Sequence, residues 1–143
     1  MASKNVEAVR ATHASWARRD FEGVTRHLAD KFFFIDHGSG RTLNSPDEFK
    51  EWTRGWVKVF SDGKHTNEKY LDAGDTVVAE FIAEGTNDGP FAGFPPTGRH
   101  LAFPVCQIWR FDKNGQIVSG AGYLNQYTIL IQLGHAKPLG AAA

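Results

Sequence analysis

The hydrophobic pattern of this chain changes period once. Through residue 60 the apolar side chains recur every three or four positions, and from His65 onward they recur every second position. Helices therefore come first, with one short strand between them, and a meander of long strands follows. That order is an α+β plan in which about three helices cover one face of a strongly curved, cone-shaped antiparallel sheet. A length of 143 residues suits one such unit, so residues 1–143 are expected to form a single domain.

Val6, Val9, His13, Trp16 and Ala17 mark the inner face of an amphipathic helix over residues 5 to 19, and a second short helix is expected over 21 to 28. Phe32-Phe33-Phe34-Ile35-Asp36-His37 reads as a strand closed by Gly38-Ser39-Gly40. Ser45-Pro46-Asp47-Glu48 supplies an N-cap hydroxyl, a proline at the first helical position and a glutamate at N3. The helix it starts presents Phe49, Trp52, Trp56, Val59 and Phe60 on one side and stops at Ser61-Asp62-Gly63.

Beyond His65, Val77, Ala79, Phe81 and Ala83 share one strand face while Val78 and Ile82 lie on the other. A sheet apolar on both faces is expected to have both covered, the outer one by a second copy of the chain. A loop rich in Gly and Pro, 87 to 98, leads to a strand over 100 to 111 and, after Lys113-Asn114-Gly115, a last strand from Gln116 to about Tyr127. Residues 135 to 143 read as a flexible tail.

Composition narrows the partners. Lys and Arg total 16, as do Asp and Glu, which leaves no basic excess to neutralise a nucleic-acid backbone or an anionic membrane. The single cysteine, Cys106, has no partner within the chain, which fits a reducing cytoplasm, and no apolar run approaches a membrane span. The histidines show no metal-ligand spacing, so no metal is expected.

The chain resembles the SnoaL-like polyketide cyclases of the nuclear transport factor two-like superfamily from about Val6 to Gly134. The resemblance rests on Asp36-His37, on Pro46 to Trp52, on Gly85-Thr86-Asn87-Asp88-Gly89-Pro90-Phe91, on Ile108-Trp109-Arg110-Phe111, on Gly115-Gln116-Ile117-Val118 and on Gln132-Leu133-Gly134. Its most specific piece is Pro95-Pro96-Thr97-Gly98-Arg99. The resemblance implies a cystatin-like α+β cone, a homodimer with apposed sheets, and a cavity in which an intramolecular aldol closes a ring without metal or organic cofactor.

It also exposes a departure. The family's last strand carries a His-Trp-Asp string whose Asp is the acid/base, facing a polar partner on the preceding strand. Here those positions hold Gly120, Ala121 and Gly122, and the partner is Gln107. Neither a glycine nor an amide titrates.

Three functional readings remain open, one of them a dimeric interaction module whose cavity is packed core, against which the two inward glycines argue; the other two involve a small molecule. In one, His37 is the acid/base and Gln107 a polarising donor for an apolar or aromatic small molecule. Its pocket would be made by Asp36, Trp52, Trp56, Phe60, Phe81, Phe103, Trp109, Gly120 and Gly122, the two glycines leaving ligand-sized space. In the other, the same cavity binds such a molecule without chemistry. Asp36 and His37 also have a purely local reading, as a strand-end pair bonded to the backbone of Gly38-Ser39-Gly40.

Overall fold

The computed structural model describes residues 3–140. Helix α1 (Lys4–Ala17) is capped by Ser3, whose side chain accepts from the N–H of Val6. A one-turn α2 (Phe21–Val24) follows, capped by Asp20. The helix expected there over 21 to 28 is cut short because β1 (Leu28–Asp36) already begins at Leu28. The strand β2 (Arg41–Leu43), too short to carry a periodic signal, folds back on β1. Helix α3 (Pro46–Val59) starts as its capping sequence dictates, with Ser45 accepting from the N–H of Glu48.

Strands β3 (Lys64–Asp72), β4 (Thr76–Thr86), β5 (His100–Phe111) and β6 (Ile117–Leu124) form the meander. The open, curved sheet runs β2-β1-β6-β5-β4-β3, every pair antiparallel except β1 with β6. In β4, Val77, Ala79, Phe81 and Ala83 are buried on the helix side, and Val78 and Ile82 are half-buried on the other face.

The expected run of the last strand to Tyr127 is corrected. β6 ends at Leu124, and Asn125 caps a further helix, α4 (Gln126–Leu133), by accepting from the N–H of Thr128. Gly134 closes it in the left-handed region at φ 88°. Ile129 and Leu133 are fully buried against β5, and the Gln132 amide exchanges two 2.8 Å hydrogen bonds with the backbone of Ala102. The apolar Ile129-Leu130-Ile131 run is thus one helical turn over the cone rather than strand.

The expected tail is docked at its start, since His135 stacks on Phe94 and its Nε2 lies 3.1 Å from the Pro95 carbonyl. Its last positions, 141–143, fall outside the described residues.

The loop from 87 to 98 is stitched down by one buried side chain. Asn87 Nδ2 donates to the carbonyls of Val59 and Gly89, while its Oδ1 accepts from the N–H of Thr97. Gly89 packs so tightly on the end of α3 that a Cβ there would stand 1.7 Å from the Lys58 carbonyl oxygen. Those contacts give the Gly85-to-Phe91 and Pro95-to-Arg99 strings a structural role, tying the loop to the end of α3. Among the described residues no helix is long and apolar enough to cross a membrane.

Candidate functional site

Between α1, α3 and the inner faces of β4 and β5 lies a cavity of about 70 Å³. Trp52, Trp56 and Phe60 form one wall and Phe81, Phe103 and Trp109 the other. Trp52 and Trp56 also line a second, more open cavity of about 330 Å³ that holds Asp36, Ser39, Arg41, Glu51 and Gln126. The two indoles therefore border both cavities, and the outer one, the vestibule, carries more polar groups than the inner.

The polar groups of the inner cavity are few. The hydroxyls of Thr12 and Thr53 donate to the carbonyls of Ala8 and Lys50 in their own helices. Gln107, 7% exposed, points into the cavity from the middle of β5. Its Oε1 accepts from His13 Nε2 at 2.8 Å and from Trp109 Nε1 at 3.2 Å. An indole N–H can only donate, so this pair of contacts fixes which end of the amide is the oxygen. The NH₂ has no partner among the described residues, yet no fully enclosed side-chain nitrogen or oxygen lacks one. The Gln107 NH₂ therefore opens onto the cavity as a free donor pair.

His13, on the inner face of α1, is the second polar group. Its Nδ1 lies 2.8 Å from Tyr70 Oη, and burial holds its pKa below the ordinary imidazole value. His65 on β3 is the third. Its ring stacks on Trp16 at 4.7 Å and 11°, and it meets His13 edge-on at 5.2 Å. Burial, reinforced by His13 and Arg19, pushes its pKa down to about 3, so it is neutral at physiological pH. No hydrogen bond to a described residue engages it.

Histidine spacing along the sequence did not disclose this pair, because α1 and β3 bring the two rings together from positions 52 apart. The inward placing of His13 was legible in the 3–4 spacing of α1. His65 carried no signal.

Several expected site residues lie elsewhere. His37 is exposed on the outer sheet face, its ring stacked on Tyr123 at 4.5 Å and its N–H donated to the Gly122 carbonyl, and it lines neither cavity. Asp36 faces the vestibule, where its carboxylate accepts from Gly38 N–H, from Ser39 Oγ at 2.7 Å and from Trp52 Nε1 at 3.3 Å. The strand-end reading describes the Asp36 contacts.

Gly120 and Gly122 stand opposite Trp109 and Gln107 in the ladder, as the resemblance placed them, but they leave no ligand space. A Cβ on Gly120 would come within 2.7 Å of the Phe34 ring, and one on Gly122 within 3.0 Å. Phe34, buried among Phe49, Trp52 and Trp109, occupies the volume those glycines vacate. Neither glycine lines the cavity, although their ladder partners Trp109 and Gln107 both do.

The fold is thus an open curved sheet wrapped by helices around an apolar cavity that one unpaired amide enters. The SnoaL-like polyketide cyclase family model matches residues 6–133, and the chain belongs to that family. No curated protein sequence matches it. Among solved structures, a candidate SnoaL-like polyketide cyclase of Jannaschia sp. CCS1 is similar, with TM-score 0.84, 22% identity and 94% of each chain covered. So is IdmH, a candidate polyketide cyclase of Streptomyces antibioticus, with TM-score 0.79 and 21% identity over 92% of this chain and 99% of that one. AclR, a candidate hydroxylase of Streptomyces galilaeus, has TM-score 0.81 and 21% identity over 94% and 83%. At these identities the likeness is one of fold, and the fold carries differing chemistries.

Proposed function

We propose that this protein is a SnoaL-like enzyme that performs acid/base chemistry on an apolar, polyketide-like ketone. The observation that carries the reading is the unpaired Gln107 NH₂ inside an aromatic cavity. It suits a carbonyl oxygen, whose negative charge it stabilises when a neighbouring carbon loses a proton.

The base in this reading is His65. A neutral imidazole with no protein partner, lining the same cavity, takes the proton from the carbon beside the carbonyl, and the electron pair moves onto the oxygen held by Gln107. Burial keeps this imidazole neutral at physiological pH and also weakens it as a base, so the exchange it supports is slow. The wall of Trp52, Trp56 and Phe60 holds the ring system. A homodimer through the outer sheet face completes the reading, supported by the exposed Phe33, Leu71 and Tyr123.

A second reading, binding without chemistry, is favoured by a specific observation: none of the residues lining the inner cavity is a carboxylate.

One experiment separates the two. Acetophenone is incubated with the protein in D₂O, its methyl-proton exchange is followed by NMR, and its binding by tryptophan fluorescence. Exchange that is lost in His65→Asn while binding persists supports the enzyme. Binding without exchange in the wild type leaves the binding protein. If acetophenone binds no better than ethylbenzene, which lacks the carbonyl, the role of Gln107 is overturned.

A further inference from the structure

The hydrogen bonds around Gln107 continue outward to the surface. Gln107 Oε1 needs a donor, and His13 Nε2 faces it at 2.8 Å, so the neutral His13 ring carries its proton on Nε2 and its Nδ1 is an acceptor. Tyr70 Oη lies 2.8 Å from that Nδ1 and 2.9 Å from Glu68 Oε2, and Glu68 is exposed. A phenol has one proton and here faces two acceptors. With His13 neutral, one of the two contacts must go without a hydrogen. With His13 protonated, every contact is satisfied in one direction: Nε2–H to Gln107, Nδ1–H to Tyr70, and Tyr70 O–H to the Glu68 carboxylate.

Only the desolvation of a buried cation opposes that state. An anionic oxygen on the Gln107 NH₂, one amide away, would offset it.

We propose that the cavity binds ligands whose oxygen is anionic, of the enolate or phenolate class, together with one proton that enters past Glu68 and Tyr70 and settles on His13 Nδ1. This rests on the cavity reading above and adds to it the charge state of the ligand and the source of the compensating proton. His13 is a positioning residue here, acting on the ligand through Gln107.

The other charged or titratable groups facing this row are His65 on β3, edge-on to His13, Arg10 from α1, whose guanidinium lies 4.4 Å from the Tyr70 ring centroid, and Glu7 beside it. β4 and β5 contribute no charged group against His13, only the Phe81 and Trp109 rings and the neutral amide of Gln107.

The test uses 4-nitrophenol at a pH where the free probe is fully ionised. Its absorption reports whether the bound form is phenolate, and calorimetry in two buffers of different ionisation enthalpy counts protons. The expected result is a bound phenolate with about one proton taken up per probe. In Tyr70→Phe and in His13→Gln the uptake should vanish and affinity for the phenolate should fall about tenfold.

A bound phenolate without proton uptake, or a probe that is itself protonated on binding, overturns the relay and leaves the cavity reading standing. A probe that does not bind at any pH overturns both. Without any ligand, ¹⁵N NMR of the His13 ring should show the Nε2–H tautomer, with Nδ1 losing its hydrogen-bonded shift in Tyr70→Phe. An Nδ1–H tautomer overturns the relay alone.

Discussion

His65 and Tyr70 lie five residues apart on one strand and both turn toward the cavity side. In a regular strand an odd separation puts two side chains on opposite faces. The ladder to β4 pairs His65 with Ala83 and Tyr70 with Ala79, both buried positions, because one extra residue is accommodated between Thr66 and Lys69. Asn67, at φ 54°, is the bulge residue that makes this possible. Without it either His65 or Tyr70 would leave the site.

The bulge should therefore be sensitive to what occupies position 67. Asparagine and glycine tolerate the left-handed region, whereas a β-branched residue does so only at a cost of about 1–2 kcal/mol. Asn67→Gly should melt near the wild-type temperature, and Asn67→Val should melt lower. Slippage of the register in Asn67→Val would also show as loss of the His13–Tyr70 hydrogen bond by NMR.

The buried neutral imidazole of His65 sets a pH dependence of stability. Its folded pKa lies below its unfolded value, so between about pH 6.5 and 3 the unfolded chain binds a proton that the folded chain does not. Stability therefore falls as pH drops through that window, at up to about 1.4 kcal/mol per pH unit from this group. His13 adds in the same direction. His65→Phe should flatten the decline of melting temperature between pH 6.5 and 4.5, a range chosen to lie above most carboxylate titration. An equally steep decline in the variant would mean that the ring is solvated in the folded protein.

Gly120 should be intolerant of a side chain for a reason unrelated to ligands. The methyl of Gly120→Ala would meet Phe34 at 2.7 Å, and Phe34 is completely buried among three other aromatic rings. Overpacking of this kind costs about 1–3 kcal/mol. Denaturant unfolding should show that loss; because the same methyl would stand 3.0 Å from the Trp109 ring, a wall of the cavity, acetophenone affinity should fall with it.

How much of this was legible in the sequence depended on how local the signal was. The Ser45-Pro46 cap, the α3 aromatic face and the alternation of β4 are written in neighbouring residues, which is why the inward aromatic side chains of α3 and β4 could be named. Helix α4 was missed because a short apolar run has no period of its own, although Asn125 and Gly134 are its start and stop signals. His65 was missed, and whether Tyr70 reaches the cavity stayed open, because a bulge reverses the parity on which a face assignment depends. The two glycines were read as empty space because a missing side chain does not say which neighbour fills its volume; that neighbour, Phe34, comes from a strand some 86 residues earlier in the chain.

The last prediction sets His37 against His65 as the proton-accepting group. His37 has the appeal of following directly on the first strand, yet its ring lies on the outer sheet face, stacked on Tyr123, and its N–H is held by the Gly122 carbonyl. That bond belongs to the backbone and survives any substitution except proline. His37→Asn should therefore remove only the ring stacking, about 0.5–1 kcal/mol, and leave both acetophenone binding and its methyl-proton exchange as in the wild type. His65→Asn should keep much of the binding and abolish the exchange. The paired result matters because either variant alone is open to a stability explanation. If His37→Asn lost exchange at unchanged affinity while His65→Asn kept it, the base would lie at the end of β1, and the ligand would have to reach the outer sheet face rather than the cavity between α1, α3 and β5.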